Sequence, residues 1–455
     1  MVLSRAPRPQ ARERQSNAPD RPGLAARRTA ARLLAAIVDS KVSLDGLTDP
    51  EHGHGEFLRL EVRDRALVRA ILVTALRRRR TIERAIAARL DRPLPANATT
   101  LSHLLHVAAA QILFLDVPDS AAVDLAVEQA RADPRTRRFA SLVNAVLRGV
   151  SRHADQARAD PGGDAPDWFV SRLKAAYGDE RARRILDLHR VEAPVDFTVK
   201  DDAEGWAARL DGIVLPTGSV RVGKLPARVP DLPGYVEGHW WVQDAAAALP
   251  ARLLGEVRGL RVADLCAAPG GKTAQLAAAG AQVTAIDVSA SRLKRLRTNL
   301  LRLAVEADVV EADLFAYRPT EAFDAVLLDA PCSSTGTVRR HPDVPWTKGL
   351  DDIETLAALQ ERMLRRAVEL VKPGGRIVFS NCSLDPREGE ALVERVLATD
   401  SRFARDSVRA GEFAGIDPFI LADGTLRTTP ADLDMGRSEI SGLDGFFAAR
   451  LRWAG

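Results

Sequence analysis

The sequence predicts an α/β domain with a doubly wound, mostly parallel sheet, preceded by an all-α domain and a small α/β subdomain. Two observations favour this architecture. In the C-terminal half, short apolar runs alternate with amphipathic helical stretches, which is typical of strands covered by helices on both faces. Between residues 29 and 153, apolar residues recur instead at helical spacing, as at Leu101, Leu104 and Leu105, and prolines separate the runs.

The length of 455 residues allows roughly three domains. We expect a disordered basic tail at 1–28, the all-α domain at 29–153, the small subdomain at 167–245 and the large α/β domain at 246–455. The segment between the first two folded parts, 154–166, has too few large apolar residues to pack, so it is predicted to be a linker.

The composition excludes several classes of protein. The three cysteines are too few for a disulfide scaffold, and no two of them form the C-x-x-C pair typical of zinc sites, so no metal is expected. No apolar run is long enough to cross a membrane, and the N-terminal region lacks the apolar core of a signal peptide. We therefore expect a cytoplasmic protein without membrane contact, whose oligomeric state the sequence does not specify.

The net charge of +4, from 65 basic and 61 acidic residues, conceals local arginine clusters. They lie between Arg5 and Arg28, at Arg77–Arg80, at Arg135–Arg138 and at Arg339–Arg340. Such clusters suit contacts with phosphate groups, although a solvated helix face is the alternative for each one alone.

Six apolar runs predict the strands of the large domain, and the ends of these strands deserve separate inspection because ligands of open α/β sheets bind outside the carboxyl ends. The runs are 262–266, 282–287, 307–313, 324–330, 376–382 and 446–451.

The first of these strands leads into the motif DLCAAPGGKT, residues 264–273. Gly270 and Gly271 allow the backbone to approach a ligand closely at the start of a helix. A phosphate-binding P-loop is disfavoured because its first glycine position holds Cys266, and the G-x-G-x-x-G pattern of dinucleotide sites is missing from the segment. The motif therefore predicts a cofactor loop of another kind.

Two carboxylates follow at the ends of the next strands. Asp287 suits hydrogen bonds to ribose hydroxyls, with a helix cap beside Ser289 as the alternative. Asp313 is placed to contact an adenine edge, with a simple turn role as the alternative. Ribose and adenine contacts without a pyrophosphate loop suggest S-adenosylmethionine rather than NAD or ATP.

The fourth and fifth strands end close to two thiols. Asp329 and Cys332 follow one strand and Cys382 follows the other. A cysteine in an apolar strand is usually an inert core residue, but two at neighbouring ligand-facing ends are expected to share one crevice.

Three longer segments resemble the Fmu/Sun family of RNA cytosine-C5 methyltransferases, in its bacterial 16S ribosomal RNA branch. They are DLCAAPGGKT, DAVLLDAPCSSTGTVRRHPDVPW and KPGGRIVFSNCSLDPREGE, with GYVEGHWWVQDAAA before them and DGFFAARLR after them. Residues 30–152 resemble the NusB-type helical RNA-binding domain through DRALVRAILVTALRRRR, VAAAQILFLDVPDSAAVDLAVEQA and FASLVNAVLRG. The resemblance implies a Rossmann-like class I methyltransferase domain.

The resemblance also implies roles for individual residues. Cys382 would attack cytosine C6, Cys332 would assist breakdown of the covalent adduct, and Asp329 would bond the N3/N4 edge of the base and also touch the cofactor. The cofactor-binding residues it implies are Cys266, Ala267, Ala268, Pro269, Gly270, Gly271, Lys272, Asp287, Asp313 and Asp329. Two departures from the family pattern are DFTVKDD at 196–202, in the small RNA-binding subdomain, and Asn381 before the nucleophile, where threonine is common.

Several points stay open. Lys272 is a candidate for lowering the pKa of Cys382, with a backbone or cofactor contact as the alternative. Arg339, Arg340 and His341 are expected in a mobile loop that contacts RNA phosphates, and Arg77–Arg80 would extend that footprint. The alternatives to 16S rRNA methylation are the same chemistry on tRNA, a non-catalytic RNA-binding or antitermination factor, and a P-loop NTPase.

Overall fold

The computed structural model describes residues 21–160 and 162–454. Most of the predicted basic tail, residues 1–20, lies outside this range. The remainder of that prediction is wrong, because the first helix begins at Leu24 and buries Leu24 and Ala26 in the helical core.

The N-terminal domain is all helical, as its apolar spacing predicts. Its central helix, Thr99–Phe114, buries residues around almost its whole circumference, so the other helices pack on every side of it. Apolar side chains from the surrounding helices complete one continuous core. The helices are α1 Leu24–Ser40, α2 Leu44–Leu47, α3 Gly55–Leu58, α4 Val62–Arg77, α5 Arg79–Ala87, α6 Thr99–Phe114, α7 Asp119–Ala132, α8 Ala140–Arg152 and α9 Ala154–Arg158.

The linker is held by polar contacts rather than by apolar packing. Asp164 is buried, and its Oδ1 accepts a hydrogen bond from the backbone N of Thr81 at 2.9 Å. Its Oδ2 lies 3.0 Å from Nε of Arg190, at the end of the next helix. The linker therefore ties the helical domain to the chain that follows.

Helix α10, Asp167–His189, bends at Gly178, where φ is +75°. We group it with the small subdomain on sequence grounds, yet its buried face packs elsewhere. Phe169 and Leu173 share an apolar cluster with Val338 and Leu384, which belong to the large domain. The helix thus lies against the loops that follow two strands of the large sheet.

The small subdomain contains an antiparallel sheet in the order β2-β3-β1-β4. The strand-like runs at 195–199 and 240–242 form its two outer-numbered strands, while the two short strands between them were not predicted. Its elements are β1 Val195–Val199, α11 Ala203–Arg209, β2 Ile213–Val214, β3 Val220–Val222 and β4 Trp240–Val242.

The large domain has a mixed sheet in the order β10-β12-β9-β8-β5-β6-β7. All six predicted strands are present. They and two short unpredicted strands are β5 Arg261–Leu265, β6 Gln282–Asp287, β7 Asp308–Glu311, β8 Phe323–Asp329, β9 Val371–Asn381, β10 Phe403–Arg405, β11 Leu426–Thr428 and β12 Phe446–Trp453.

Strands β5 to β9 run parallel, and β12 pairs antiparallel with β9, β10 and β11. Apolar clusters cover both faces of this sheet, so the predicted doubly wound α/β architecture is confirmed. The helices of the domain are α12 Leu249–Arg252, α13 Gly271–Ala278, α14 Ala290–Leu303, α15 Val344–Thr347, α16 Leu350–Ala367 and α17 Glu390–Thr399.

Within residues 21–160 and 162–454, no helix combines the length and the apolar character that a membrane crossing requires.

Candidate active site

The two thiols predicted to share a crevice are in direct contact. Strands β8 and β9 are parallel neighbours with Asp329 opposite Ser380, so the loops that follow them leave the sheet at the same edge. Cys332 and Cys382 lie on these loops, and their Sγ atoms are 3.4 Å apart. The loops are also joined through the backbone, because the N of Gly336 donates to the carbonyl of Cys382 at 2.9 Å.

The surroundings of the thiols separate their acidities. The pKa of Cys382 is lowered, first by the hydrogen bond from Cys332 and further by Ser334, whose Oγ lies 3.7 Å from the Cys382 Sγ, although burial opposes this. The pKa of Cys332 is raised well above its usual value by the contact with Cys382 and by burial. When the pair loses one proton, the charge is therefore favoured on Cys382, which is the form a nucleophile needs.

Asp329 lies beside the thiols at the end of β8. Its Oδ1 accepts a hydrogen bond from Ser380 Oγ at 2.9 Å, and its Oδ2 accepts one from Lys272 Nζ at 2.7 Å. Lys272 also lies 4.8 Å from the ring centroid of Phe446. Lys272 thus balances the charge of Asp329, whereas the thiol of Cys332 supplies the main effect on the pKa of Cys382.

The predicted cofactor loop joins β5 to α13. Cys266 and Gly270 both have positive φ, +61° and +101°, so the chain turns sharply at each end of the loop. Gly270 precedes the first turn of α13, and a Cβ there would approach Leu296 Cγ to 2.9 Å. Glycine is therefore required by both conformation and space. Burial raises the pKa of Cys266 to about 12, so this thiol stays protonated and apart from the pair.

Asp287 ends β6 next to this loop. Its carboxylate accepts hydrogen bonds from the backbone N of Ala268 at 3.2 Å and of Ser289 at 3.0 Å, so the expected local role is present. Arg292 lies 3.2 Å from its Oδ2 and also donates to the carbonyl of Ala268. Arg292 was missed by sequence reasoning, although its place one turn into the helix after Asp287 indicates a side chain that returns to the strand end.

Asp313 lies just beyond β7, and its Oδ1 accepts a hydrogen bond from the backbone N of Phe315 at 2.9 Å. This is the turn role that the sequence offers as its alternative. A contact with an adenine edge stays a prediction.

Beneath the loop, Asp264 of β5 is fully buried and accepts a hydrogen bond from Thr273 Oγ1 at 2.6 Å. Burial raises the pKa of Asp264 to about 7. The contact fixes the first turn of α13 on the strand and so positions the loop above it.

These residues fit S-adenosylmethionine. The glycine-bounded turn brings the backbone to the ligand side at the start of α13, where N–H groups favour a carboxylate. Asp287 presents oxygen acceptors at the neighbouring strand end, as ribose hydroxyls require. Lys272 and Asp329 offer opposite charges between this loop and the thiols.

The expectation of a mobile arginine loop after β8 is wrong. Arg339 is 2% exposed and donates through Nη1 to the carbonyl of Ser441 at 2.8 Å. Arg340 donates through Nε to Asp444 at 2.9 Å. Both side chains therefore join this loop to the segment before β12, and Arg339 is not available to phosphates.

The same loop is docked on the helical domain. His341 Nδ1 lies 2.9 Å from Asp45 Oδ2, and the guanidinium of Arg79 lies 5.3 Å from the ring centroid of Trp346. Arg77 donates to the carbonyl of Arg339 at 2.8 Å. Arg77 and Arg79 thus serve contacts between domains, so the expected RNA footprint of this cluster does not include them.

The sheet defines the class of the protein. Numbered along the large domain, its strands follow the order 3-2-1-4-5-7-6 with the seventh antiparallel, which is the topology of Rossmann-like class I methyltransferases. Residues 251–452 match the family model described as 16S rRNA methyltransferase RsmB/F, and residues 24–152 match the NusB family. The chain belongs to this family of 16S rRNA methyltransferases, and its methyl donor is S-adenosylmethionine.

Full-length relatives carry the same description. A ribosomal RNA small subunit methyltransferase B from Xanthomonas campestris is 37% identical over 82% of this chain and 88% of its own length. One from Xylella fastidiosa is 38% identical over 93% and 99%. The match over the catalytic part excludes both the non-catalytic RNA-binding factor and the P-loop NTPase.

Solved structures agree on the architecture. The crystal structure of PH0851 superposes with a TM-score of 0.71 at 24% identity, over 94% of this chain and 98% of that one, and shows the fold alone. A methyltransferase homolog protein from Pyrococcus horikoshii is 30% identical, with a TM-score of 0.52 over 62% of this chain and 93% of its own.

Proposed function

We propose that this protein methylates C5 of a cytosine in 16S rRNA through a covalent adduct between Cys382 and cytosine C6. The observation that carries the proposal is the 3.4 Å contact between the Sγ atoms of Cys332 and Cys382 at one edge of the sheet. A second thiol in contact with the nucleophile has no use in binding alone, whereas a reaction that forms and then breaks a C–S bond uses both.

The chemistry follows from the weak nucleophilicity of cytosine C5. Addition of the Cys382 thiolate to C6 makes C5 carbanion-like, and Asp329 stabilises the adduct at the N3/N4 edge of the base. S-adenosylmethionine, when bound, supplies the methyl group. C5 then loses its proton, the bond between C6 and Sγ breaks, and Cys382 leaves as a thiolate. We assign assistance in this last step to Cys332, which adjoins the breaking bond.

The cofactor is proposed to lie along the strand ends, with the loop from Cys266 to Lys272 around its amino-acid part. Asp287 would bond the ribose hydroxyls and Asp313 the adenine edge. The lowered pKa of Cys382 supports this arrangement because the thiolate is then available beside the methyl donor at neutral pH.

The target base must leave its stack to reach the thiols, so a single-stranded or opened region of the rRNA is expected. The helical domain is proposed to hold flanking RNA, and its exposed arginines Arg137 and Arg138 suit phosphate contacts. Action on ribosomal RNA assigns the reaction to the cytoplasm.

Bisulfite sequencing of total RNA from cells without the gene, and from the same cells complemented with the wild-type or Cys382→Ala chain, tests the proposal. We expect one protected cytosine in 16S rRNA that only the wild-type chain restores. A protected cytosine in tRNA instead would transfer the same chemistry to the alternative substrate. Full protection with Cys382→Ala would overturn the assigned nucleophile.

A further inference from the structure

Glu388 is a fully buried carboxylate next to the thiols that the proposed mechanism does not use. It lies in the turn between β9 and α17. Its Oε1 accepts hydrogen bonds from the backbone N of Ser333 at 2.9 Å and from Gln360 Nε2 at 2.8 Å. Its Oε2 accepts the hydroxyls of Ser333 and Ser383, each at 2.5 Å. All four donors are uncharged, and together they occupy the four acceptor positions of a carboxylate.

These donors come from both loops that carry a thiol. Ser333 directly follows Cys332, and Ser383 directly follows Cys382. One carboxylate oxygen thus binds both serine hydroxyls, which places a single acceptor between the two loops. The position of each Sγ atom depends on the backbone that this oxygen holds.

Two amide side chains extend the same connection. Gln360 donates to the carbonyl of Pro331 at 2.9 Å as well as to Glu388, so it reaches the residue before Cys332. Asn381, the residue before Cys382, donates to the backbone carbonyl of Glu388 at 2.7 Å. Each cysteine is therefore bracketed on both sides by groups attached to Glu388 or to its partner Gln360.

The Asn381 departure from the family pattern gains a role here. Besides its bond to Glu388, its Oδ1 accepts a hydrogen bond from the backbone N of Ser383 at 3.0 Å. The amide spans the loop of the nucleophile in a way that requires both a donor and an acceptor.

We propose that Glu388 is a positioning residue for methyl transfer, whose buried carboxylate clamps the Cys332 and Cys382 loops together and holds their Sγ atoms in contact. This inference rests on the proposed function. Because burial makes an unpaired carboxylate costly, the four hydrogen bonds fix one arrangement of both loops. The negative charge of Glu388 also adds to the contact with Cys382 and to burial in raising the pKa of Cys332.

Three variants separate this role from general stability. Glu388→Gln keeps the shape but presents an NH₂ group to at least one acceptor position, so a serine hydroxyl loses its acceptor. Ser383→Ala removes one hydroxyl from the clamp and serves where Glu388→Gln folds poorly. Glu394→Gln, on α17 with a 63% exposed side chain, is the matched control.

The first measurement needs no substrate. Each protein is alkylated with iodoacetamide across pH, and the peptides that hold Cys332, Cys382 and Cys266 are quantified by mass spectrometry. In the wild type and in Glu394→Gln, Cys382 is expected to react with a pKa below that of an ordinary thiol. In Glu388→Gln and Ser383→Ala its pKa is expected to rise toward about 8.5, while Cys266 stays unreactive.

The second measurement is formation of the covalent adduct on unmodified 16S rRNA transcribed with 5-fluorocytidine, which blocks release from C5. We expect the rate to fall about tenfold in Glu388→Gln and Ser383→Ala, as one pKa unit implies, with the KM for S-adenosylmethionine within twofold of wild type. Wild-type alkylation profiles and adduct rates in both variants would overturn the clamp. A wild-type enzyme that forms no adduct, or a Cys382→Ala variant that does, would instead overturn the proposed function.

Discussion

The ammonium group of Lys272 donates to Asp329 Oδ2 at 2.7 Å, and this ion pair lies between the cofactor loop and the thiol pair. Its consequence for reactivity is indirect. The charge of Asp329 opposes ionisation of Cys382, so a cation beside Asp329 reduces a penalty on the thiolate.

We expect Lys272→Met to raise the pKa of Cys382, because the charge of Asp329 is then uncompensated. The measurement is the pH dependence of adduct formation on 5-fluorocytidine RNA, whose midpoint should move to higher pH. Lys294→Met, at an exposed position of α14, is the control and should keep the wild-type midpoint. An unmoved midpoint in Lys272→Met would show that Asp329 does not act on the thiolate.

We expect Cys332→Ala to accumulate as a denaturant-resistant adduct with its RNA, because the thiol assigned to release is lost. The adduct should also form more slowly at neutral pH, since Cys332 provides the main lowering of the pKa of Cys382. Denaturing gels with labelled 16S rRNA measure both effects. Cys266→Ala should give no trapped complex, and only free enzyme with Cys332→Ala would contradict the release role.

Local patterns predict the parts of the fold that local patterns determine. β6 was predicted with its observed bounds because six apolar-rich residues end at an acid before a helix cap. β10 and β11 have three residues each and gain their definition by pairing with β12, so no periodicity announces them. Helix α1 begins earlier than expected because burial of Leu24 offsets an arginine-rich composition.

The site divides along the same line. Placing Cys332 and Cys382 together required only the rule that parallel strand ends meet at one edge. The roles of Arg339 and Glu388 depended on partners distant in sequence, since Ser441 lies 102 residues after Arg339 and Ser333 lies 55 residues before Glu388. A basic cluster or a glutamate in a turn carries no local sign of such a partner.

The buried Asp264 should make stability depend on pH in an unusual direction. Its folded pKa of about 7 exceeds the unfolded value near 3.9, so between these values the native state holds a proton that the unfolded state has lost. Its contribution is therefore fully present below about pH 4 and is lost as pH rises toward 7.

We expect Asp264→Asn, which stays neutral, to gain stability relative to wild type as pH rises from 5 to 7, by about 1.4 kcal/mol per unit. Chemical unfolding of both proteins at each pH measures the difference in free energy of unfolding. Asp91→Asn, at an exposed position, should show no such trend. A constant difference between Asp264→Asn and wild type would contradict the raised pKa.

The arginines that remain exposed on the helical domain should carry RNA affinity. Arg137 and Arg138 follow α7 and are exposed, whereas Arg77 and Arg79 are engaged between domains. We expect the double variant Arg137→Gln/Arg138→Gln to weaken binding to 16S rRNA and to reduce the slope of log K against log salt by roughly 1 to 2, because each lost phosphate contact removes a fraction of one unit.

Filter binding at several salt concentrations measures this slope, with Arg409→Gln, an exposed arginine of the C-terminal segment, as the control. Methyl transfer at saturating RNA should stay at the wild-type rate in the double variant, since neither arginine contacts the thiol pair. A fall in this rate with an unchanged salt slope would contradict a role confined to RNA binding. An unchanged slope together with an unchanged rate would assign the phosphate contacts to other surfaces of the protein.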